Sequence, residues 1–341
     1  MLEILPQHDR HNGARGGPSE RARTRLGELS VRRTGVLLLL LAASGLQPAA
    51  GEPQALPTFK TSVDVVPISA VVRDRHGRLV TRLTVSDFEV FDKGERRRIL
   101  DFQVDQTSPL TIALLVDVSG SMRVGPKLGF ARQVLEQLVA NLEKGRDEVG
   151  LFTFDKALHE PQSFTLDPVG IDSVLDATQP FGTTSLYDAI AATARRLESR
   201  PSPRRAIVVF TDGVDTSSEL TPSEVSALAS SIDVPVYIVV TVPPIDHARF
   251  LEREAAAALQ PAADLRELAL WTGGDLVWAT KGEDASVRAQ HILTELRHQY
   301  LIAIESATQA EWRPLDIRVR DRHMSVKARS GYFSKDRALI Q

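Results

Sequence analysis

The sequence predicts an α/β fold with a doubly wound, mostly parallel six-stranded sheet flanked by helices, plus a small β-sandwich-like domain. The first indication is the unbroken apolar run at 112–116, typical of a strand buried on both faces of a parallel sheet. The second is the alternation of such runs with amphipathic segments between residues 108 and 300. The third is a set of short strands on either side of that region.

The alternation can be followed element by element. We predict strands at 112–116, 149–154, 159–164, 207–211, 234–240 and 276–279, with 159–164 as an antiparallel edge. We predict helices at 127–142, 186–197, 222–232, 250–259, 265–272 and 285–300. Thr221-Pro222-Ser223-Glu224 is a capping box with proline in the first turn, which marks a helix start. Tyr300 is expected to face inward at the end of the last helix.

Short strands precede and follow this α/β region. They are predicted at 63–72, 87–91 and 99–104, and again at 300–304, 315–320 and 325–328. Three strands rarely fold alone, so we expect segments 59–107 and 301–334 to pair as one β-sandwich with the α/β domain of 108–300 inserted between them. Residues 52–58 are then a linker and residues 335–341 a tail.

The first 51 residues differ in composition from the rest. They hold seven arginines, no lysine and four acidic residues, a net charge of +3 against −3 for the whole chain. Arg32-Arg33 precedes an apolar run at 35–46, and small residues follow at 49–51. This order is typical of a secretory signal peptide after a disordered lead, with cleavage near Gly51. The alternative is an uncleaved membrane anchor, for which the apolar run is short.

Composition limits the remaining classes. The sequence has no cysteine, which excludes disulfides and thiolate metal sites. The part that follows the predicted signal peptide is net acidic, without the basic and aromatic interleaving of nucleic-acid binders, so we expect no nucleic-acid partner. We expect no stable transmembrane helix in the mature chain and an exported location, periplasmic, cell-surface or secreted.

A cluster of oxygen-bearing side chains follows the first central strand. Asp117, Ser119 and Ser121 lie just past its carboxyl end, the edge at which ligands bind in open α/β sheets. The loop before the next predicted helix carries Thr184, and the strand at 207–211 leads into Asp212. Such hard oxygen donors suit Mg²⁺, or Mn²⁺ or Ca²⁺, rather than zinc or copper. A purely structural alternative is that the two serines cap the next helix and Asp212 begins a turn.

Asp-x-Ser-x-Ser, then a loop threonine, then strand-Asp-Gly resembles the von Willebrand factor A (VWA) domain. In that family the five matching positions, here Asp117, Ser119, Ser121, Thr184 and Asp212, form a metal-ion-dependent adhesion site. The resemblance implies hydroxyl ligation by Ser119, Ser121 and Thr184. Asp117 would act through water or orient the serines, and Asp212 would bind the metal or its water.

The segments outside the α/β region also carry a resemblance. The stretch from Val71 to Phe102 and the closing Arg329-Ser330-Gly331-Tyr332-Phe333 are similar to VWA-related proteins abundant in acidobacteria. In those proteins a short β segment precedes the A domain. This resemblance covers roughly residues 59–334 and implies architecture more than activity.

The motifs predict a non-enzymatic binding module. A cation held by only two carboxylates keeps exchangeable waters, so it can accept an acidic side chain from a protein partner. One alternative is a hydrolase that uses a motif serine, but no histidine falls within the motifs and His159 is the only one near these elements. Another is an accessory VWA subunit of a larger envelope assembly. His291 and His298 are seven residues apart on a helix, too far for one metal, and are expected on the surface.

Overall fold

The computed structural model describes residues 65–171, 173–175, 178–241, 265–279 and 285–334. Its strands are β1 (Val65–Arg73), β2 (Phe88–Asp92), β3 (Glu95–Arg97), β4 (Ile99–Asp105), β5 (Leu110–Asp117), β6 (Glu148–Phe154), β7 (Leu158–Thr165), β8 (Arg204–Thr211), β9 (Val236–Thr241), β10 (Leu276–Ala279), β11 (Gln299–Glu305), β12 (Trp312–Val319), β13 (Ser325–Ala328) and β14 (Gly331–Phe333). Its helices are α1 (Lys127–Ala140), α2 (Leu186–Glu198), α3 (Pro222–Ser231), α4 (Leu265–Trp271) and α5 (Ala285–Arg297).

A six-stranded sheet in the order β10-β9-β8-β5-β6-β7 forms the centre of the α/β part. All eight residues of β5 are buried, as expected for an apolar strand with neighbours on both edges. Strand β5 runs parallel to β6 and β8, while β7 is the antiparallel edge. The predicted fold class is therefore confirmed for this sheet.

Helices cover both faces of the sheet because successive residues of each strand point to opposite sides. On one face, α1 and α5 pack against residues such as Leu114 and Val208. On the other, α2, α3 and α4 pack against residues such as Leu115 and Val209. The sheet is thus buried on both faces, and its loops at the carboxyl ends of the parallel strands are left to form a site.

The remaining strands form two four-stranded sheets, β13-β1-β11-β4 and β14-β12-β2-β3. Each sheet combines strands from before and after the α/β part; for example, Ile68 of β1 is opposite Ile302 of β11. The two sheets enclose one apolar core, which includes Ile68, Phe88 and Tyr300. This arrangement is a β-sandwich.

The boundary after the last helix differs from the prediction. Helix α5 ends at Arg297 and β11 begins at Gln299, so Tyr300 belongs to the strand predicted at 300–304 and not to the end of the helix. Its hydroxyl donates to Val80 O at 2.7 Å and accepts from Leu83 N at 3.1 Å, inside the sandwich. A tyrosine at this position fits the helical period before it and the strand period after it, and the partners across the sandwich decide between them.

Two further outcomes concern element boundaries. The predicted capping box is confirmed: Thr221 Oγ1 accepts from Glu224 N, and Glu224 Oε2 accepts from Thr221 N. The helix predicted at 250–259 and the signal peptide predicted at 1–51 lie outside the described residues.

Candidate metal centre at the carboxyl edge of the sheet

Two carboxylates are brought together by adjacent parallel strands. Asp117 is the last residue of β5, and Asp212 directly follows β8. The register places Val116 opposite Phe210, so both carboxylates emerge at the same edge of the sheet. Asp117 is wholly buried and Asp212 is 3 % exposed. Two such carboxylates at one edge, screened little by water, favour a cation between them.

Asp117 is held by hydrogen bonds from its own turn and from the next strand. Its Oδ1 accepts from Ser119 N at 2.9 Å, and its Oδ2 accepts from Thr211 Oγ1 at 2.7 Å. Burial raises the pKa of Asp117 to about 6, although the hydrogen bonds from Ser119 and Thr211 act in the opposite direction; the nearby Asp212 carboxylate raises it further. The site therefore carries a desolvated carboxyl whose charged form a bound cation would stabilise.

The two serines lie in the turn between β5 and α1. Ser119 Oγ and Ser121 Oγ are 3.1 Å apart, so both hydroxyls face the same small volume. Ser119 precedes a short 3₁₀ turn, but its side chain makes no capping hydrogen bond there. The alternative in which this serine acts as a helix cap is therefore not what the geometry shows.

The loop that carries Thr184 is fastened to the same turn by main-chain hydrogen bonds. Gly120 N donates to Gly182 O at 3.1 Å, and Phe181 N donates to Val118 O at 2.9 Å. A Cβ on Gly120 would lie 3.3 Å from Gly182 O, so a larger residue would push the two loops apart. Thr184 itself is 3 % exposed, and its N donates to Thr216 Oγ1 at 2.9 Å.

A lysine completes the described part of the cluster. Lys127, the first residue of α1, donates from Nζ to Asp212 Oδ2 at 2.7 Å and to Ser121 O at 3.2 Å. The other oxygen, Asp212 Oδ1, is buried and accepts no hydrogen bond from any described residue. A buried carboxylate oxygen without a donor is the kind of group that a metal ion would satisfy. The residues present therefore fit a divalent cation.

Contacts thus link four of the five predicted residues. Asp117 accepts hydrogen bonds from Ser119 N and Thr211 Oγ1, and Ser119 Oγ contacts Ser121 Oγ. Lys127 Nζ then links Ser121 O to Asp212 Oδ2. Thr184 is brought to the same edge by the backbone of its loop rather than by a side-chain contact with the other four.

Two other aspartates near the motifs have structural roles. Asp215 Oδ1 accepts from Leu186 N at 2.8 Å and therefore caps α2. Asp188 accepts from Glu219 N and Leu220 N, both at 2.9 Å, and holds the loop that follows β8. Both aspartates therefore stabilise the loops around the cluster.

The histidine considered for catalysis is directed elsewhere. His159 Nε2 lies 3.5 Å from Asp155 Oδ1, and the imidazole is more than half exposed. Among the described residues, the contact of Ser119 Oγ is with Ser121 and not with a histidine. A nucleophilic serine needs a base within hydrogen-bond reach, and the described hydrogen bonds do not pair His159 with Ser119.

Exposed apolar side chains lie beside the cluster. Phe181 is 78 % exposed and Val124 is 65 % exposed, each on a loop that borders the site. Single exposed apolar side chains are common on protein surfaces, but these two lie where they would contact a partner bound at the cluster.

Two residues of the cluster were missed by the motif pattern, Thr211 and Lys127. Thr211 could have been found as the hydroxyl directly before Asp212 at a strand end. Lys127 lies in the first turn of a helix that has no acidic residue there. The helix dipole disfavours a cation at this position, and this mismatch is the signal that could have pointed to Lys127.

Comparison with known proteins identifies the class. Residues 112–214 match the family described as von Willebrand factor type A domain. This range begins in β5 and ends two residues after Asp212, so it contains all five residues of the predicted metal site. The chain therefore contains a VWA domain, and the recognition made from the three motifs is confirmed. No curated protein gives a significant match to the chain.

Several solved structures are similar to this chain. One is an aerotolerance-related membrane protein from Bacteroides fragilis, at 20 % identity and a TM-score of 0.43, covering 55 % of this chain and 98 % of that one. Another is the conserved hypothetical protein BatB from Bacteroides thetaiotaomicron, at 18 % identity and a TM-score of 0.42, with the same coverage. The PilB minor pilin from Streptococcus sanguinis has 16 % identity and a TM-score of 0.41, covering 56 % of this chain and 61 % of that one. Within the described residues, no helix has the length and apolarity needed to cross a membrane.

Proposed function

We propose that this protein is an exported, non-enzymatic interaction module that binds an acidic group of a protein partner through a divalent cation. The cation would be held by Asp117, Ser119, Ser121, Thr184 and Asp212. The observation that carries the proposal is the buried, unpartnered Oδ1 of Asp212 beside the buried Asp117, at the carboxyl edge of two adjacent parallel strands.

The donor set supports Mg²⁺ or Mn²⁺, with Ca²⁺ as a further candidate. Two carboxylates and three hydroxyls are hard oxygen ligands, and a site with so few carboxylates leaves positions for water. When bound, the cation supplies an electrophilic centre that a carboxylate can reach by replacing a water. The residues of this chain hold the cation, and the exposed Phe181 and Val124 offer apolar contacts beside it.

A calorimetric titration with MgCl₂ and MnCl₂ tests the metal site. Asp117→Ala removes one of two carboxylates, so the metal affinity should fall by at least about 100-fold, while thermal melts show that the fold is retained. Asp167→Ala is the matched control, because Asp167 is an exposed aspartate paired with Lys144. An unchanged affinity in Asp117→Ala would place the metal elsewhere.

A capture experiment with envelope extract tests the partner. Immobilised wild-type protein should retain a protein partner in the presence of Mg²⁺ and release it into chelator, whereas Asp117→Ala should retain much less. Equal capture with and without chelator would contradict a metal-bridged contact.

A further inference from the structure

Lys127 occupies an unusual position for a cation. It is the first residue of α1, where the amino end of the helix carries partial positive charge, and no acidic residue lies in that first turn. The lysine side chain is nevertheless only 15 % exposed, and its Nζ lies 2.7 Å from Asp212 Oδ2. Its interaction with Asp212 therefore has to offset both the helix dipole and partial burial.

Because of this contact, Lys127 and a metal ion would compete for the Asp212 carboxylate. Nζ takes one oxygen of Asp212, and Oδ1 of the same carboxylate is left buried and without a donor among the described residues. A divalent cation that binds near Asp212 would lie close to the positive charge of the Lys127 ammonium. Like charges a few ångströms apart in a partly buried site repel each other strongly.

A charge balance shows what the lysine changes. Asp117 and Asp212 are the two charged groups of the proposed ligand set and bring two negative charges when ionised. A divalent cation alone would neutralise them. With Lys127 retained, the loaded site keeps one net positive charge, which attracts a carboxylate and holds it more tightly in a site that excludes water.

We propose that Lys127 is a built-in cation that weakens divalent-metal binding at this site and strengthens the capture of an acidic partner group once the metal is bound. This inference rests on the proposed function and adds a residue that sets the affinity for both the metal and the partner. In the metal-free protein, Lys127 also neutralises Asp212 and keeps the α1 amino terminus in place.

The experiment uses the full chain and Mn²⁺ as the probe. Mn²⁺ affinity is measured by calorimetry for the wild type, Lys127→Met, Lys127→Gln and Lys127→Arg. Each Mn²⁺-loaded protein is then titrated with N-acetyl-aspartate, a minimal acidic side chain, while the relaxation of water protons reports displacement of metal-bound water. Lys144→Met is the matched control, because Lys144 pairs with Asp167 at 2.9 Å near the start of β6, away from the carboxyl edge of the sheet.

The neutral variants should bind Mn²⁺ about 10- to 100-fold more tightly than the wild type and N-acetyl-aspartate several-fold more weakly. Lys127→Arg and Lys144→Met should stay within a few-fold of the wild type. Lys127→Gln keeps a donor for Ser121 O, so it provides a folded neutral variant if Lys127→Met does not fold.

The outcomes separate the two proposals. If neither the wild type nor the neutral variants bind Mn²⁺, the proposed function itself fails. If the wild type binds Mn²⁺ and the folded neutral variants bind it equally or more weakly, only the role of Lys127 is overturned, and the lysine is then a structural anchor of α1.

Discussion

The Nζ atom of Lys327 lies 2.7 Å from Oε2 of Glu295, a side chain that is wholly buried. Lys327 belongs to β13 of the sandwich, and Glu295 belongs to α5 of the α/β part. Arg73 of β1 approaches the other oxygen of Glu295, with Nε at 2.9 Å from Oε1. One buried carboxylate thus joins two strands of the sandwich to a helix that packs on the central sheet.

Asp275 extends this network and makes it sensitive to pH. Its Oδ2 lies 3.0 Å from Lys327 Nζ and 3.1 Å from His291 Nε2. Burial disfavours the charge of Asp275, but the hydrogen bond to His291 and the Lys327 ammonium outweigh it and hold the pKa of this carboxyl well below its usual range. His291, expected on the surface, is 30 % exposed, and its imidazole also contributes to this cluster.

The first prediction follows from this lowered pKa. A carboxyl whose pKa is lower in the folded state than in the unfolded state stabilises the fold at pH values above its unfolded pKa, near 4. This stabilisation is lost as the pH falls through the folded pKa. Asp275→Asn should therefore be less stable than the wild type by about 1–3 kcal/mol above pH 5. The difference should shrink below pH 4, as urea denaturation at several pH values would measure. A difference that stays constant down to pH 2 would contradict this origin.

The second prediction concerns a buried ion pair inside the sandwich. Arg313 Nε lies 2.7 Å from Oδ1 of Asp92, which is wholly buried, and Tyr332 donates to the other oxygen at 3.2 Å. Arg313→Met leaves the Asp92 charge with weaker compensation, so the free energy of unfolding should fall by about 3–5 kcal/mol. Adding Asp92→Asn should restore part of that loss.

Arg318→Met is the control for that measurement. Arg318 lies on the same strand and pairs with Asp316, but both side chains are at least half exposed. Its loss should therefore change stability by no more than about 1 kcal/mol. Equal effects of the two arginine substitutions would argue against a special role for the buried pair.

The third prediction tests whether the two ends of the chain form one folding unit. Ile302 of β11 is buried, is opposite Ile68 of β1 and is opposite Phe102 of β4. Ile302→Ala should cost about 2–5 kcal/mol, and Ile302→Val about 0.5–1.5 kcal/mol. Hydrogen exchange in Ile302→Ala should show loss of protection in β1 and β4 together with β11. Unchanged protection in β1 would indicate that the amino-terminal strands fold independently.

The sequence could predict the fold because its strongest local signals agree with the tertiary contacts. The apolar run of β5 has eight buried residues, and the capping box at Thr221 begins α3. Gly331 of the closing motif also has a reason in three dimensions, since a Cβ there would lie 2.7 Å from Arg313 O. Such positions are dictated by burial, capping or close approach, which leave a pattern in the residue types.

Other features depend on partners distant in sequence and leave a weaker pattern. Tyr300 fits both a helix and a strand, and its hydrogen bonds to residues 80 and 83 lie across the sandwich. His291 joins Lys327 and Asp275 only after three elements have packed. Lys127 meets Asp212 across 85 residues of sequence. Motif spacing predicts which strand ends carry oxygen donors, but not which basic side chain turns toward them.

The last prediction concerns the hydroxyl that fixes Asp117. Thr211 Oγ1 donates to Asp117 Oδ2 at 2.7 Å and accepts from Gly213 N at 3.1 Å, so it couples the end of β8 to the buried carboxylate. Thr211→Val keeps the branched shape but removes both hydrogen bonds. A hydrogen bond to a charged group contributes about 1.5–3 kcal/mol, so we expect a 10- to 100-fold lower Mn²⁺ affinity when Asp117 is no longer held in position.

Thr211→Ser is the matched control, because it retains the hydroxyl and loses only a methyl group. Calorimetric titration should place its Mn²⁺ affinity within a few-fold of the wild type, with thermal melts confirming that both variants are folded. Lower affinity in Thr211→Val alone would assign the effect to the hydrogen bond. An equal drop in both variants would assign it to packing at the end of β8, and an unchanged affinity in Thr211→Val would mean that metal binding does not depend on how Asp117 is held.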